Sequence, residues 1–172
     1  MLLAIDLQTK MLPAIADHGE LLANCAWLLR AARRIGIPAA GIEQNPGGLG
    51  PLVPEIRALL PEGAVAAKTH FSSVAAKCLG DLPGADRAQI VIIGVEAHVC
   101  VLQSALDLYL EGKEVYCVAD CVGSRRHLDR DLALARLRQA GVRIVSREMV
   151  VFEWLADAAT PLFKTISKEF LK

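Results

Sequence analysis

Three polar side chains close otherwise apolar runs: Asp6 after Leu2-Leu-Ala-Ile5, Lys68 after Ala64-Val-Ala-Ala67, and Cys100 just beyond Ile90-Val-Ile-Ile-Gly94. Together they have a chemistry. A cysteine attacks as its thiolate, which a neighbouring ammonium and the positive end of a helix macrodipole both favour. A carboxylate can take the thiol proton, return it to a leaving amine and then activate water. Backbone N–H groups in the turn before Cys100 could receive an oxyanion, where one donor is worth ~3 kcal/mol. The spacing puts Cys100 in the first turn of a helix, so its thiol is expected to be acidified.

The elements that must hold these residues follow from the apolar pattern. Ile90–Ile93 is β-branched without polar alternation, as in a parallel strand buried on both faces. Further strands are expected over Leu2–Asp6, Ile37–Ile42, Ala64–Ala67, Glu114–Ala119 and Val142–Val145. Leu21, Leu22, Cys25, Leu28, Leu29, Ala32 and Ile35 recur at three and four, which is one buried helical stripe ended by Gly36. Helices are also expected over Val53–Leu60, Val74–Leu79, from the Cys100 turn to Leu110, from an Asp129 cap to Ala140, over Val150–Ala156 and from Pro161 to Leu171. Strand and helix alternate throughout, so the fold class is α/β: a three-layer αβα sandwich on a six-stranded, mostly parallel sheet.

In the common order 3-2-1-4-5-6, the first and fourth strands adjoin at the topological switch, so Asp6 and Cys100 face one crevice. Lys68 lies two strands away, about 10 Å at ordinary strand spacing, and the loop after it is expected to fold back. No GxGxxG follows the first strand, which disfavours a dinucleotide fold. Asn45-Pro-Gly-Gly-Leu-Gly-Pro51 lacks the phosphate-cradle spacing and reads as a turn.

The chain of 172 residues is one domain, 1–172, with 53% apolar residues and a mean hydropathy of +0.37. That excess of apolar surface leads to the expectation of a homo-oligomer. No apolar run nears the ~18 residues of a membrane span, and Met1-Leu-Leu-Ala-Ile-Asp6 lacks the basic region and cleavage site of a signal peptide. Lys plus Arg and Asp plus Glu number 19 each, so no basic stripe marks a nucleic-acid partner. Five cysteines with no CxxC pair argue against a disulfide framework and for a reducing, cytoplasmic setting. Cys25, Cys78 and Cys117 read as small buried hydrophobes.

Ala4-Ile-Asp6-Leu-Gln8, Ala67-Lys68-Thr-His-Phe-Ser72 and Ile93-Gly94-Val-Glu-Ala-His-Val-Cys100-Val101 resemble segments of the isochorismatase-like cysteine hydrolase superfamily, closest to its isochorismatase domain-containing branch. The likeness continues through Leu106-Asp-Leu-Tyr-Leu-Glu-Gly112, Val118-Ala-Asp120-Cys-Val-Gly-Ser124 and Ala133-Leu-Ala-Arg-Leu-Arg-Gln-Ala-Gly141, nearly the whole chain. It implies a catalytic triad of Asp6, Lys68 and Cys100, with Ala97 and Cys100 amides as oxyanion hole and a non-proline cis peptide at Glu96–Ala97. The nicotinamidase branch of that superfamily binds a metal through an Asp-x-His pair after the second strand and a further His. Here the strand end reads Glu43-Gln44-Asn45, so no metal and no cofactor are expected, and His70 alone is a loop or pocket histidine. Ala97 stands where many members have Thr, which leaves the substrate open. The vinyl-ether hydrolysis of the namesake enzyme needs no cysteine nucleophile, so Cys100 favours C–N cleavage.

Gln8, Glu43, Gln44, Phe71 and Glu96 are the candidates for binding a small-molecule substrate. Asp120 and Ser124 are expected to cap the turn after the fifth strand, with Cys121 a pocket wall rather than a second nucleophile. His98 and His127 have no partner legible in sequence. Leu162, Phe163, Ile166 and Phe170 recur at helical spacing, as a last core helix or, the favoured reading, an arm on a neighbouring subunit. The resulting expectation is a cysteine-dependent hydrolase of an amide-like C–N bond working through a thioester. The alternative is a catalytically silent or redox-active binding protein that keeps the fold.

Overall fold

The computed structural model describes residues 1–171. Its strands are β1 (Leu2–Ile5), β2 (Ala39–Gln44), β3 (Val65–Lys68), β4 (Gln89–Val95), β5 (Glu114–Gly123) and β6 (Arg143–Val145). The helices are α1 (His18–Ile35), the one-turn α2 (Pro46–Leu49) and α3 (Pro54–Arg57), α4 (Leu102–Leu110), α5 (His127–Ala140), α6 (Arg147–Leu155) and α7 (Pro161–Phe170). The sheet order is β3-β2-β1-β4-β5-β6, as expected, and every pairing is parallel rather than merely most of them.

The unbroken apolar runs are explained by two cores. Leu2, Ala4, Val91, Ile93 and Val95 pack under α1 and α6 on one face. Leu3, Ile5, Ile90 and Ile92 pack under α4 and α5 on the other. Neither central strand has a wet side, so neither alternates. Gly94 has φ +121°, and a Cβ there would collide with the Ile5 carbonyl; only glycine lets β1 and β4 run this close.

Several elements depart from expectation. β5 runs through Gly123, well past Ala119, because its pairing with β4 resumes at Gly94 and Val95 after a register shift. The shift reverses side-chain parity. Cys117 and Ala119 face the α4–α5 side, whereas Val118 and then Cys121 face α1. Cys121 is therefore a core residue whose carbonyl accepts the Cys25 thiol, not a pocket wall. Asp120 lies inside β5 and accepts the Arg147 amide, so it caps no turn there.

The segment 74–79 forms turns, not a helix. Ser72 Oγ takes the Ala75 amide as a helix cap would, but Lys77 has a positive φ of 54°, which stops the turn from continuing as a helix. The N-cap of α5 is Arg126, with Asp129 in the first turn. Finally, α7 packs on its own chain: Ile166 is fully buried, the Phe170 ring meets Trp27 edge-on at 5.8 Å, and Arg34 pairs with Glu169. It is a core helix rather than an arm.

Candidate active site

Asp6, Gln44 and Lys68 stand at the carboxyl ends of β1, β2 and β3, where open parallel sheets place their ligands. Asp6 follows β1 with φ +54°, a twist that leaves the strand ladder just where its side chain is used. Lys68 Nζ donates to Asp6 Oδ2 at 3.0 Å and to Gln44 Oε1 at 2.6 Å. The side chains of both Lys68 and Asp6 are wholly buried. The loop after β3 does not fold back to achieve this. Lys68 is paired with Gln44 in register, and its long stem reaches across β2 on its own.

Gln44 is itself fixed from both sides. Its backbone N–H donates to Gln8 Oε1 (2.8 Å) and its carbonyl accepts Gln8 Nε2 (3.0 Å), while its own Nε2 donates to Thr69 O. Gln8 Nε2 also donates to Gly50 O. Gln8 is thus a brace on the β2–α2 turn, and Gln44 is the residue that touches the charged pair.

Cys100 lies on a π-helical turn, Ala97–Val101, that joins β4 to α4. The Val99 and Val101 amides both donate to Glu96 O, which holds the turn closed. The Cys100 thiol is 3.9 Å from Gln44 Oε1 and close enough to Asp6 for each to shift the other's titration. Asp6 Oδ1 is buried with no hydrogen-bond partner among the described residues. Burial and then the Asp6 carboxylate push the Cys100 thiol up to about 12, against the opposite pull of Lys68. This corrects the expectation of an acidified thiol: the ammonium and the helix start are present, but desolvation of the sulfur outweighs them. Burial likewise raises the Asp6 carboxyl above its ordinary range despite Lys68.

A family model described as the isochorismatase domain matches residues 1–149. The chain belongs to this isochorismatase domain family. Isochorismatase domain-containing protein 2 of Danio rerio is 41% identical over 171 residues, 98% of this chain and 85% of that one. Isochorismatase domain-containing protein 1 of the same fish is 41% identical over 94% of this chain and 57% of its own length. Among solved structures, the MAR1 ribonuclease of Caenorhabditis elegans superposes with a TM-score of 0.89 at 34% identity, covering 99% of this chain and 88% of that one. The Pseudomonas aeruginosa YcaC with hexane-2,5-diol and covalent acrylamide follows at 0.85 and 27%, with the same coverage. Escherichia coli YcaC, described as an octameric hydrolase of unknown specificity, gives 0.82 and 26%, covering 99% and 87%.

Within this isochorismatase domain the other sequence candidates are scattered. Glu43 points to the far side of β2 and holds the Leu52 amide at 2.8 Å. Phe71 is half exposed on the loop after β3. Glu96 Oε2 accepts both the backbone N–H and the Nε of Arg125, tying the cysteine turn to the loop after β5. Ala97 lies on that turn, buried. The non-proline cis bond is Val95–Glu96, one residue earlier than expected; β4 continues through Val95, so the turn departs from there.

Ser124, expected to cap a turn, instead partners His98 on the cysteine turn, and Ser72, Ser73, Ser104 and Asp107 are residues that sequence reasoning missed. Ser124, buried, has its Oγ 2.9 Å from His98 Nδ1, and His127 meets Asp17. Ser72 donates to Asp107 and Ser104 donates to Ser73, which pins the Lys68 loop to α4. Ser72 and Ser73 follow the end of β3 closely, whereas Ser104 and Asp107 lie within α4 and carry no signal in sequence. Among the described residues no three His, Cys, Asp or Glu side chains converge as metal ligands, His70 included, and no helix is long and apolar enough to cross a membrane.

Proposed function

We propose that the protein is a cysteine hydrolase that cleaves an amide-like C–N bond of a small molecule. The observation that carries this reading is the buried contact of Lys68 with Asp6 at 3.0 Å beside the Cys100 thiol. In the resting site the sulfur is protonated and Asp6 Oδ1 is free of partners, so the carboxylate is placed to take the thiol proton as the carbonyl carbon is attacked. The S–C bond forms and the developing oxyanion is received by the Ala97 and Cys100 amides. Asp6 gives its proton to the nitrogen, the C–N bond breaks, and ammonia or an amine leaves a thioester. Asp6 then draws a proton from water, the hydroxide adds, and the C–S bond breaks to return the thiol and a carboxylic acid. Lys68 stays an ammonium throughout, offsetting the charge that moves between carboxylate and sulfur.

Membership of the isochorismatase domain family supports a hydrolase, and the covalent acrylamide of the Pseudomonas relative is consistent with a nucleophile in that protein. The octameric Escherichia coli relative supports a homo-oligomer. The name of the Caenorhabditis elegans relative offers ribonuclease activity as a second reading. Equal numbers of acidic and basic residues weigh against it, since polynucleotides need a basic footprint.

The test is ammonia release from a panel of small amides by the parent and by Cys100→Ser, with an RNA substrate alongside. Turnover that disappears with the sulfur, together with an acyl mass on Cys100, is the expected result. Equal background from both proteins on every amide rules the hydrolase out, and RNA cleavage that depends on Cys100 replaces it with the second reading.

A further inference from the structure

We propose that α5 is a two-fold interface with a second copy of this chain, in which the two α5 helices pack antiparallel. The helix has an inward face made by Ala133, Leu134 and Leu137, all buried. Arg130 points the same way and donates to the Ala119 and Val122 carbonyls of β5. At ~100° per residue, the positions directly opposite are Leu128, Leu132, Ala135 and Gln139. Leu128 is 67% exposed and Leu132 59%, two leucines one turn apart on a face that otherwise has nothing to bury.

The charges beside this stripe say what covers it. Asp131 and Arg138 flank one side and Asp129 and Arg136 the other, so each flank is acidic toward the helix N-terminus and basic toward the C-terminus. A two-fold axis through the middle of the stripe reverses the second helix while keeping like flanks together. Asp131 then meets the Arg138 position of the second copy, and Asp129 meets the Arg136 position, each pair repeated by symmetry. Leu132 falls opposite Ala135, large against small, and Leu128 opposite the flexible stem of Gln139. Parallel packing would instead set carboxylate on carboxylate, a juxtaposition that disfavours association. Asp129, Arg136 and Arg138 form no ion pair among the described residues; Asp131 has a 3.4 Å contact with its neighbour Arg130 and is otherwise exposed. The patch is thus self-complementary in shape and charge, as an isologous contact requires.

The surface has a link to the site. The inner face of α5 packs on the turn Ala97–Val101 that carries Cys100, so the interface backs the nucleophile from outside without supplying a residue to it. The proposal does not depend on the reaction assigned above, and its test reads no activity.

Two charge-reversed chains test it by sedimentation, one chain being 18.5 kDa. One carries Asp129→Arg with Asp131→Arg, the other Arg136→Asp with Arg138→Asp. Each alone repels its own copy and is expected to run at half the parent mass or less. Mixed in equal amounts they are complementary, and the parent mass is expected to return. A parent that runs as single chains, variants that keep the parent mass, or a mixture that fails to recover overturns the proposal. Should the doubly reversed chains not fold, Leu132→Ser alters only an exposed side chain. It is expected to weaken self-association at least tenfold with an unchanged circular dichroism spectrum, and unaltered association again overturns the interface.

Discussion

Lys68 Nζ lies 3.0 Å from Asp6 Oδ2 with both side chains sealed from water, yet the thiol beside them is less acidic than a free cysteine. Burial is the larger cause and the Asp6 carboxylate the next. Replacing Asp6 by Asn removes a negative charge that opposes the thiolate and leaves the Lys68 ammonium to favour it. Alkylation of Cys100 by iodoacetamide at pH 8 is therefore expected to be faster in Asp6→Asn than in the parent, although hydrolysis is lost. In the parent, the rate should climb roughly tenfold per pH unit through pH 10, following the thiolate fraction. A plateau near ~8.5, the ordinary thiol value, would show the sulfur to be unperturbed.

The same burial raises the Asp6 carboxyl, and the proposed attack needs it ionised. Activity is present above the raised pKa and lost as pH falls through it, so the acid limb of kcat/KM belongs above the ~3.9 of an exposed aspartate. Lys68 pulls the other way, toward the carboxylate. Lys68→Met should move the limb to higher pH as well as lowering its height, because the remaining carboxylate is then buried without its counter-ion, an arrangement costing ~3–5 kcal/mol. A limb at the ordinary value in both proteins would remove Asp6 from the role of base.

Gln44 is the hinge between the charged pair and the sulfur, with Oε1 2.6 Å from Lys68 Nζ and 3.9 Å from Cys100 Sγ. Gln44→Ala leaves the ammonium one acceptor short in a buried site, where a hydrogen bond to a charged group is worth ~1.5–3 kcal/mol. Loss of about 10- to 100-fold in kcat is expected from that figure, with Gln44→Glu failing to restore it because a second carboxylate would compete for Lys68. A change confined to KM would make Gln44 a substrate contact instead.

What the sequence made legible depended on how many residues wrote each feature. Ile90–Ile93 and Leu2–Ile5 are buried on both faces, so the absence of alternation announced a central parallel strand, and with it the neighbourhood of Asp6 and Cys100. Lys68 was placed correctly on its strand, but its reach was not, because spacing counts strands and not the length of a lysine stem. Cys121 is misplaced by a single register shift, which reverses side-chain parity within a stretch of β5, Val118–Val122, that has no glycine or proline of its own. The thiol pKa could not be read at all: a helix start and a lysine are visible in sequence, whereas the desolvation that overrides them is a property of the packed site. The α7 helix looked like an arm because its apolar spacing says only that one face is covered, not by which chain.

Gly94 supplies the last test, since it is where the strands bearing Asp6 and Cys100 touch. Its φ of +121° and the position its Cβ would take against the Ile5 carbonyl make Gly94→Ala strained in two ways. A positive φ on a residue with a side chain costs ~1–3 kcal/mol, and forcing an extra carbon into a filled core costs another ~1–3 kcal/mol. The obstacle is backbone, not the movable end of a side chain, so β4 must retreat from β1 rather than rearrange locally. Gly94→Ala is expected to lower the urea midpoint by an amount worth about 3 kcal/mol or more, and in whatever protein remains folded to cut the hydrolysis rate further than the folded fraction accounts for. Gly36, which also has a positive φ but nothing within 4 Å of its Cβ position, is the matched control. Gly36→Ala should show only the conformational part, ~1–2 kcal/mol, with the rate per folded molecule unchanged. Equal losses at both glycines would mean that close contact between β1 and β4 is not what positions the carboxylate beside the thiol.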